Sequence, residues 1–93
     1  MIRHIVMWKF RAGTEAEQER FLEGLRALQG VIPQLVSSEA ARNVAPGNYD
    51  AVLVSEFRSL EDLEAYKKDP RHQKVSALCK SIREDRVAVD YEF

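Results

Sequence analysis

Cysteine is almost missing from this chain: Cys79 is the only one. A lone thiol closes no internal disulfide, so packing must hold the fold and nothing points to an oxidising compartment. Long apolar runs are missing too. No stretch approaches the ~18 residues of a membrane span. The opening Met1-Ile2-Arg3-His4 lacks the uninterrupted apolar segment of a secretory signal, and Lys9 breaks the one run there is. The expected location is the cytoplasm, with no membrane partner. There is also no excess of one charge: 14 Lys and Arg against 15 Asp and Glu leave a net charge of −1. That balance argues against a surface built for nucleic acid or anionic lipid. No glycine-rich loop for phosphates and no basic-aromatic pattern for RNA occurs, so no nucleic-acid partner is expected. His4 and His72 are the only histidines. With Asp50, Glu56 or Asp90 they make a weak metal set, since no pair has a spacing such as His-x-x-x-His. No metal or other cofactor is expected, and nothing local favours haem on His4 or His72.

What is there suits one globular domain over residues 1–93, since 45% of the residues are hydrophobic and need cover. Ile2 to Phe10 reads as a strand with apolar residues on both faces: Ile2, His4, Val6, Trp8 and Phe10 on one, Arg3, Ile5, Met7 and Lys9 on the other. Thr14, with Glu17 three residues on, predicts a capping box. Phe21, Leu22, Leu25, Leu28 and Ile32 then recur at helical spacing up to Gly30 and Pro33. Leu35 to Val44 reads as a second strand, Pro46-Gly47-Asn48 as a turn, and Asp50 to Phe57 as a third strand. Ser59 to Asp62 is a second capping pattern, opening a helix with Leu60, Leu63 and Tyr66 on one stripe. Asp69-Pro70 stops that helix and starts another, with His72, Val75, Cys79 and Ile82 on its apolar side. Arg86 to Phe93 reads as the last strand. The order β-α-β-β-α-β is the ferredoxin-like α+β plait, an antiparallel four-stranded sheet with its second helical region split.

Such a sheet has helices on one face only, and its other face should be polar if it meets water. Here that face would carry Ile5, Met7, Val52, Val54, Val87 and Val89. Fully burying each contributes about 1.5–3 kcal/mol. No further element of the chain covers them, whereas a second copy does so by symmetry, which predicts a homodimer. Different strand registers would instead turn some of these valines toward the helices.

The stretches His4-Ile5-Val6-Met7-Trp8-Lys9-Phe10, Tyr49 to Phe57, Tyr66, Asp69-Pro70-Arg71-His72 and Val87-Ala88-Val89-Asp90-Tyr91 resemble the stress-responsive A/B barrel (Dabb) family of the dimeric α/β-barrel superfamily. The resemblance covers nearly the whole chain and is most specific from Tyr49 to His72. It implies a homodimeric barrel of two four-stranded sheets and no single activity. The chain is also distantly similar to plant olivetolic acid-type polyketide cyclases. Tyr66 and His72 match their active-site tyrosine and histidine, and His4 matches a histidine lining their cavity. Leu25 and Leu22 stand where those cyclases have aromatic residues, and Lys68, Asp69 and Gln73-Lys74 replace the segment around their catalytic turn.

His4, Tyr66 and His72 are expected between sheet and helices, with Val6, Trp8, Leu25, Leu53 and Val75 walling a ligand site. A histidine in an apolar cavity can take a proton from a carbon acid, and a tyrosine can orient it or donate to an enolate oxygen. Spacing and resemblance together suggest His72 as base, Tyr66 as orienter or electrophile and His4 as a positioning group. Equally, His72 can bond Tyr66 or His4 and simply lock the helix junction. Trp8, Phe21 and Phe57 read as core, and Cys79 as inert packing. Lys67, Lys68, Arg71 and Lys74 read as a solvated face that could also draw an anion to the cleft mouth. Two function classes stay open. One is a protein that holds a small apolar or aromatic ligand without turnover. The other is a cofactor-independent cyclase-like lyase or, failing that, a cofactor-independent monooxygenase.

Overall fold

The computed structural model describes every residue except Pro46. The elements are β1 (Ile2–Phe10), α1 (Glu15–Arg26), β2 (Ser37–Arg42), β3 (Ala51–Phe57), α2 (Leu60–Lys68), α3 (Pro70–Ile82) and β4 (Arg83–Glu92). The four strands form one antiparallel sheet in the order β2-β3-β1-β4. β1 is therefore a central strand, which explains why both its faces are apolar. Its inner residues Ile2, Val6, Trp8 and Phe10 join Leu53 and Phe57 of β3, Phe21, Leu22 and Leu25 of α1, and Leu63, Cys79 and Ile82 in one core.

Register decides the other face. Ile5 lies opposite both Val54 and Val89, and Met7 opposite both Val52 and Val87. Cross-strand partners point the same way. All six apolar residues thus form two rows across three strands, on the side away from the helices. The alternative in which some valines turn inward does not occur. Val89 is 62% exposed in the single chain, and Met7 and Val87 are 39% and 37% exposed.

The second capping pattern forms at its serine: Ser59 Oγ accepts from the Asp62 amide at 3.1 Å. At the junction the Asp69 carboxylate accepts from the Arg71 amide at 2.8 Å, with Pro70 in the first turn of α3. The Arg71 guanidinium and amide beside it pull the Asp69 carboxyl down to about 2. The capping box at Thr14 does not form. Its hydroxyl donates to the Arg11 carbonyl at 2.6 Å and accepts from Gln18 Nε2 at 2.9 Å, so no helix amide reaches it. Leu60 also departs from expectation at 60% exposure. Steps of three residues fall about 60° short of a turn, so a stripe centred on Leu63 and Tyr66 has rotated off the sheet by Leu60.

β2 is shorter than Leu35 to Val44, although Leu35 stays buried beside it. Part of the turn expected at Pro46-Gly47-Asn48 lies outside the described residues. Within it Gly47 has φ of +90°, which suits glycine. β4 begins at Arg83, three residues before the expected start. Its register against β1 shifts between Lys9 and Phe10: Asp85 faces Lys9, and Arg83, not Glu84, faces Phe10.

Candidate functional site

His4 sits on the inner face of β1 between Ile2 and Val6 and is 4% exposed. The β1–β4 register puts Asp90 directly opposite it. The ring Nδ1 donates to the Asp90 carboxylate. Since a carboxylate only accepts, this contact leaves Nε2 as the lone-pair nitrogen of a neutral ring. Burial pushes the His4 imidazolium toward deprotonation, and Asp90 opposes that without overcoming it.

His72 sits in the first turn of α3, where the Asp69-Pro70 junction turns it back over the end of α2. Its Nδ1 donates to the Lys67 carbonyl at 3.2 Å. Neither Tyr66 nor His4, the partners expected for a locking role, takes that bond. Burial lowers its pKa too, partly offset by the hydrogen bond to the Lys67 carbonyl and reinforced by the Arg86 and Lys67 side-chain charges. Tyr66 packs its ring 4.4 Å from the His72 ring and 5.0 Å from Phe57. The Tyr66 hydroxyl is buried with no partner among the described residues, and burial pushes its pKa up to about 12. The hydroxyl thus stays protonated at any ordinary pH.

Between sheet and helices lies a cavity of about 50 Å³. Val6, Trp8, Phe21, Leu25 and Leu53 form its apolar wall, and His4, His72, Ser76, Cys79, Arg83 and Arg86 its polar and mouth residues. Of the residues expected to wall a ligand site, His4, Val6, Trp8, Leu25 and Leu53 line it together with His72. Val75 does not. It sits over Gly24 of α1, where an added Cβ would come within 3.2 Å of Val75 Cγ2. Tyr66 does not line it either, because its ring is sandwiched behind His72 against Phe57. Burial raises the Cys79 thiol, partly countered by Arg83, so it is a poor nucleophile.

Of the four basic residues near the helix junction, two are in ion pairs: Lys67 with Glu64 at 3.5 Å and Arg71 with Asp69 at 2.7 Å. Of the weak metal set only His4 and Asp90 meet. Asp50 accepts from the Phe10 amide at 2.8 Å, and Glu56 pairs with Arg3 at 2.7 Å. No three His, Cys, Asp or Glu come together among the described residues. Three site residues escaped the sequence reading. Asp90 was weighed only as a metal donor, although antiparallel pairing of the first and last strands aligns it with His4. Arg83 and Arg86 carry no motif, and only the bulge reveals them.

Chemically, the cavity offers two neutral imidazoles, each with Nδ1 committed and Nε2 without a protein partner among the described residues. That arrangement can accept a hydrogen bond from a ligand or take its proton.

The fold recurs in solved structures. The chain superposes on a dimeric protein of unknown function with a ferredoxin-like fold from Bacteroides fragilis with a TM-score of 0.92 and 31% identity, covering 99% of this chain and 95% of that one. Hydroxynitrile lyase from Passiflora edulis shares the fold with a TM-score of 0.85 at 16% identity, over 97% of this chain and 90% of the lyase. In sequence, the chain is 36% identical over 98 residues to an uncharacterized protein of Streptomyces coelicolor, covering 100% of both. The family model for the stress responsive A/B barrel domain matches residues 2–93. With its four-stranded antiparallel sheet, its helices on one side and these relatives, the chain belongs to the stress-responsive A/B barrel (Dabb) family.

Proposed function

We propose that this protein works as a homodimer, sheet against sheet, and that each subunit binds a small apolar or aromatic molecule in the cleft between sheet and helices. The dimer is supported by the two apolar rows Val54–Ile5–Val89 and Val52–Met7–Val87 and by the dimeric Bacteroides relative. The ligand reading is carried by one observation: a cavity with one apolar wall that also holds two neutral imidazoles with free acceptor nitrogens. A packing-only interior has no use for that combination. At about 50 Å³ the cavity admits one end of an organic molecule, the remainder lying toward the mouth.

A second reading is favoured by His72, whose Nδ1 donates to the Lys67 carbonyl and whose Nε2 is left as a proton acceptor on a ring that lines the cavity. On it, the protein is a cofactor-independent lyase. His72 Nε2 takes the hydroxyl proton of a small hydroxyl compound as its oxygen becomes a carbonyl and the adjacent carbon–carbon bond breaks. The departing carbanion takes a proton from the His72 imidazolium, His4 positions the substrate, and Tyr66 fixes the His72 ring by packing. The lyase from Passiflora shows the fold hosting such an activity in another protein.

Native mass spectrometry of the purified chain, before and after mild denaturation, tests the first reading. A dimer carrying a retained small molecule supports it, and a bare monomer at micromolar concentration sinks the dimer. Once a retained molecule is identified, unchanged turnover of it by His72→Ala sinks the lyase reading.

A further inference from the structure

The β4 bulge sets up an uncommon arrangement at the cavity mouth. Arg83 and Arg86 are three residues apart, a spacing that in a regular strand points side chains to opposite faces. Because the ladder skips Glu84, Arg83 pairs with Phe10 and Arg86 with Trp8, so both lie on the helix-facing side. Both line the cavity. Neither guanidinium has a carboxylate within 4 Å among the described residues, whereas Arg3, Arg42 and Arg71 each have one. No Asp or Glu lines the cavity, and Asp90, on the same face of β4, is taken by His4.

A second, independent observation points the same way. Trp8 is the register partner of Arg86, is 3% exposed, and has a buried Nε1 with no acceptor among the described residues. An unsatisfied indole N–H in a cavity wall costs stability unless an acceptor arrives. Two guanidinium groups without a carboxylate and an indole N–H without an acceptor among the described residues thus share this cavity with the apolar side chains of Val6, Phe21, Leu25 and Leu53.

We infer that the ligand of this cleft is a small monocarboxylate on an apolar or aromatic skeleton, its skeleton against Val6, Phe21 and Leu53 and its carboxylate held at the mouth by Arg83 and Arg86. The inference rests on the cleft being a binding site. Guanidinium groups suit a carboxylate because their paired N–H donors match its two oxygens. The histidines, neutral on this face, leave the anion to the arginines.

The chain has one tryptophan, so the Trp8 indole N–H gives a single, assigned cross-peak in a nitrogen-15 spectrum. The full-length protein is titrated with sodium benzoate and, separately, with benzamide, its uncharged analogue. Benzoate should shift the Trp8 signal at millimolar or lower concentration and bind more tightly than benzamide. Arg83→Gln and Arg86→Gln should each weaken benzoate about tenfold, in line with a charge-assisted hydrogen bond, and leave benzamide unchanged. Arg86→Lys should recover part of the loss. Arg20→Gln, which removes the same charge on the exposed side of α1, should change neither. Equal binding of benzoate and benzamide, or arginine variants that bind benzoate normally, overturns the carboxylate proposal and leaves the cleft reading standing. No Trp8 shift with either probe up to about 10 mM overturns both.

Discussion

His4 and Asp90 face each other across the β1–β4 ladder, and the imidazole Nδ1 donates to the carboxylate from a ring that is 4% exposed. Two opposed effects set this histidine's proton affinity, burial lowering it and Asp90 raising it, and burial wins. Asp90→Asn removes the opposing effect. The His4 ring should then titrate at still lower pH, while His72, whose Nδ1 is held by the Lys67 carbonyl, should change little. With only two histidines in the chain, ring carbon-proton signals followed against pH resolve both. A His4 titration unmoved by the substitution shows that the contact does not govern its proton.

Stability should fall as the solution is acidified through the histidine range. Both histidines have folded pKa values below the ordinary ~6.5, with burial the leading cause for each. As pH drops through ~6.5 the unfolded chain takes up protons that the folded chain refuses, so unfolding is favoured. The contribution is complete above ~6.5 and is lost downward until the folded values are reached. Asp90 resists this at His4. The Arg86 and Lys67 charges add to the lowering at both rings, and the Asp69 carboxyl, at about 2, titrates far below the window. The urea midpoint should be lower at about pH 5.5 than at about pH 7.5, and His72→Gln should reduce the difference. Equal midpoints at the two pH values contradict the lowered pKa values.

Tyr66 gives a prediction of opposite sign for stability and for site geometry. Its hydroxyl is buried without a partner among the described residues, and its ring supports His72 at 4.4 Å. Tyr66→Phe keeps the ring and removes the unsatisfied group. The variant should be more stable by about 1 kcal/mol in chemical denaturation. Tyr66→Leu also removes the hydroxyl but loses the ring contacts to His72 and Phe57, and should be destabilised by about 1–3 kcal/mol. A destabilised Tyr66→Phe means that the hydroxyl has a partner, such as a buried water, in solution.

The pattern of legibility follows from where information resides. β1 was readable to its end residues because Ile2 to Phe10 is β-rich and stops at a turn glycine, and the split at Asp69-Pro70 because proline and its cap leave few conformational choices. The start of β4 was not readable. Arg83-Glu84-Asp85-Arg86 has no strand composition, and it is extended because Phe10 and Trp8 already offer a ladder to pair with. The same reason hid the site. His4, Trp8, Leu25 and Leu53 could be placed on inner faces by periodicity. Asp90, Arg83 and Arg86 depend on a register and a bulge, which are properties of two strands together. Thr14 shows the limit of a local motif: the capping residues are present, but Arg11 and Gln18 compete for the hydroxyl.

Val89 offers a direct test of the open face. It ends the row Val54–Ile5–Val89 and is 62% exposed in the single chain, so the subunit's own core does not need it. Val89→Asp should leave the far-ultraviolet circular dichroism spectrum unchanged. In a sheet-on-sheet dimer it places an unpaired charge from each subunit in an apolar layer. Such burial costs several kcal/mol, enough to weaken association by about 100-fold or more. Sedimentation velocity across a concentration series reads this as a dimer turning into a monomer. Leu60→Asp is the matched control, since Leu60 is 60% exposed on the first residue of α2, among the helices on the other side of the sheet. It should leave association intact. Equal dissociation by both variants points to an interface on the helical side, and a Val89→Asp protein that stays dimeric rules out the sheet face as the contact.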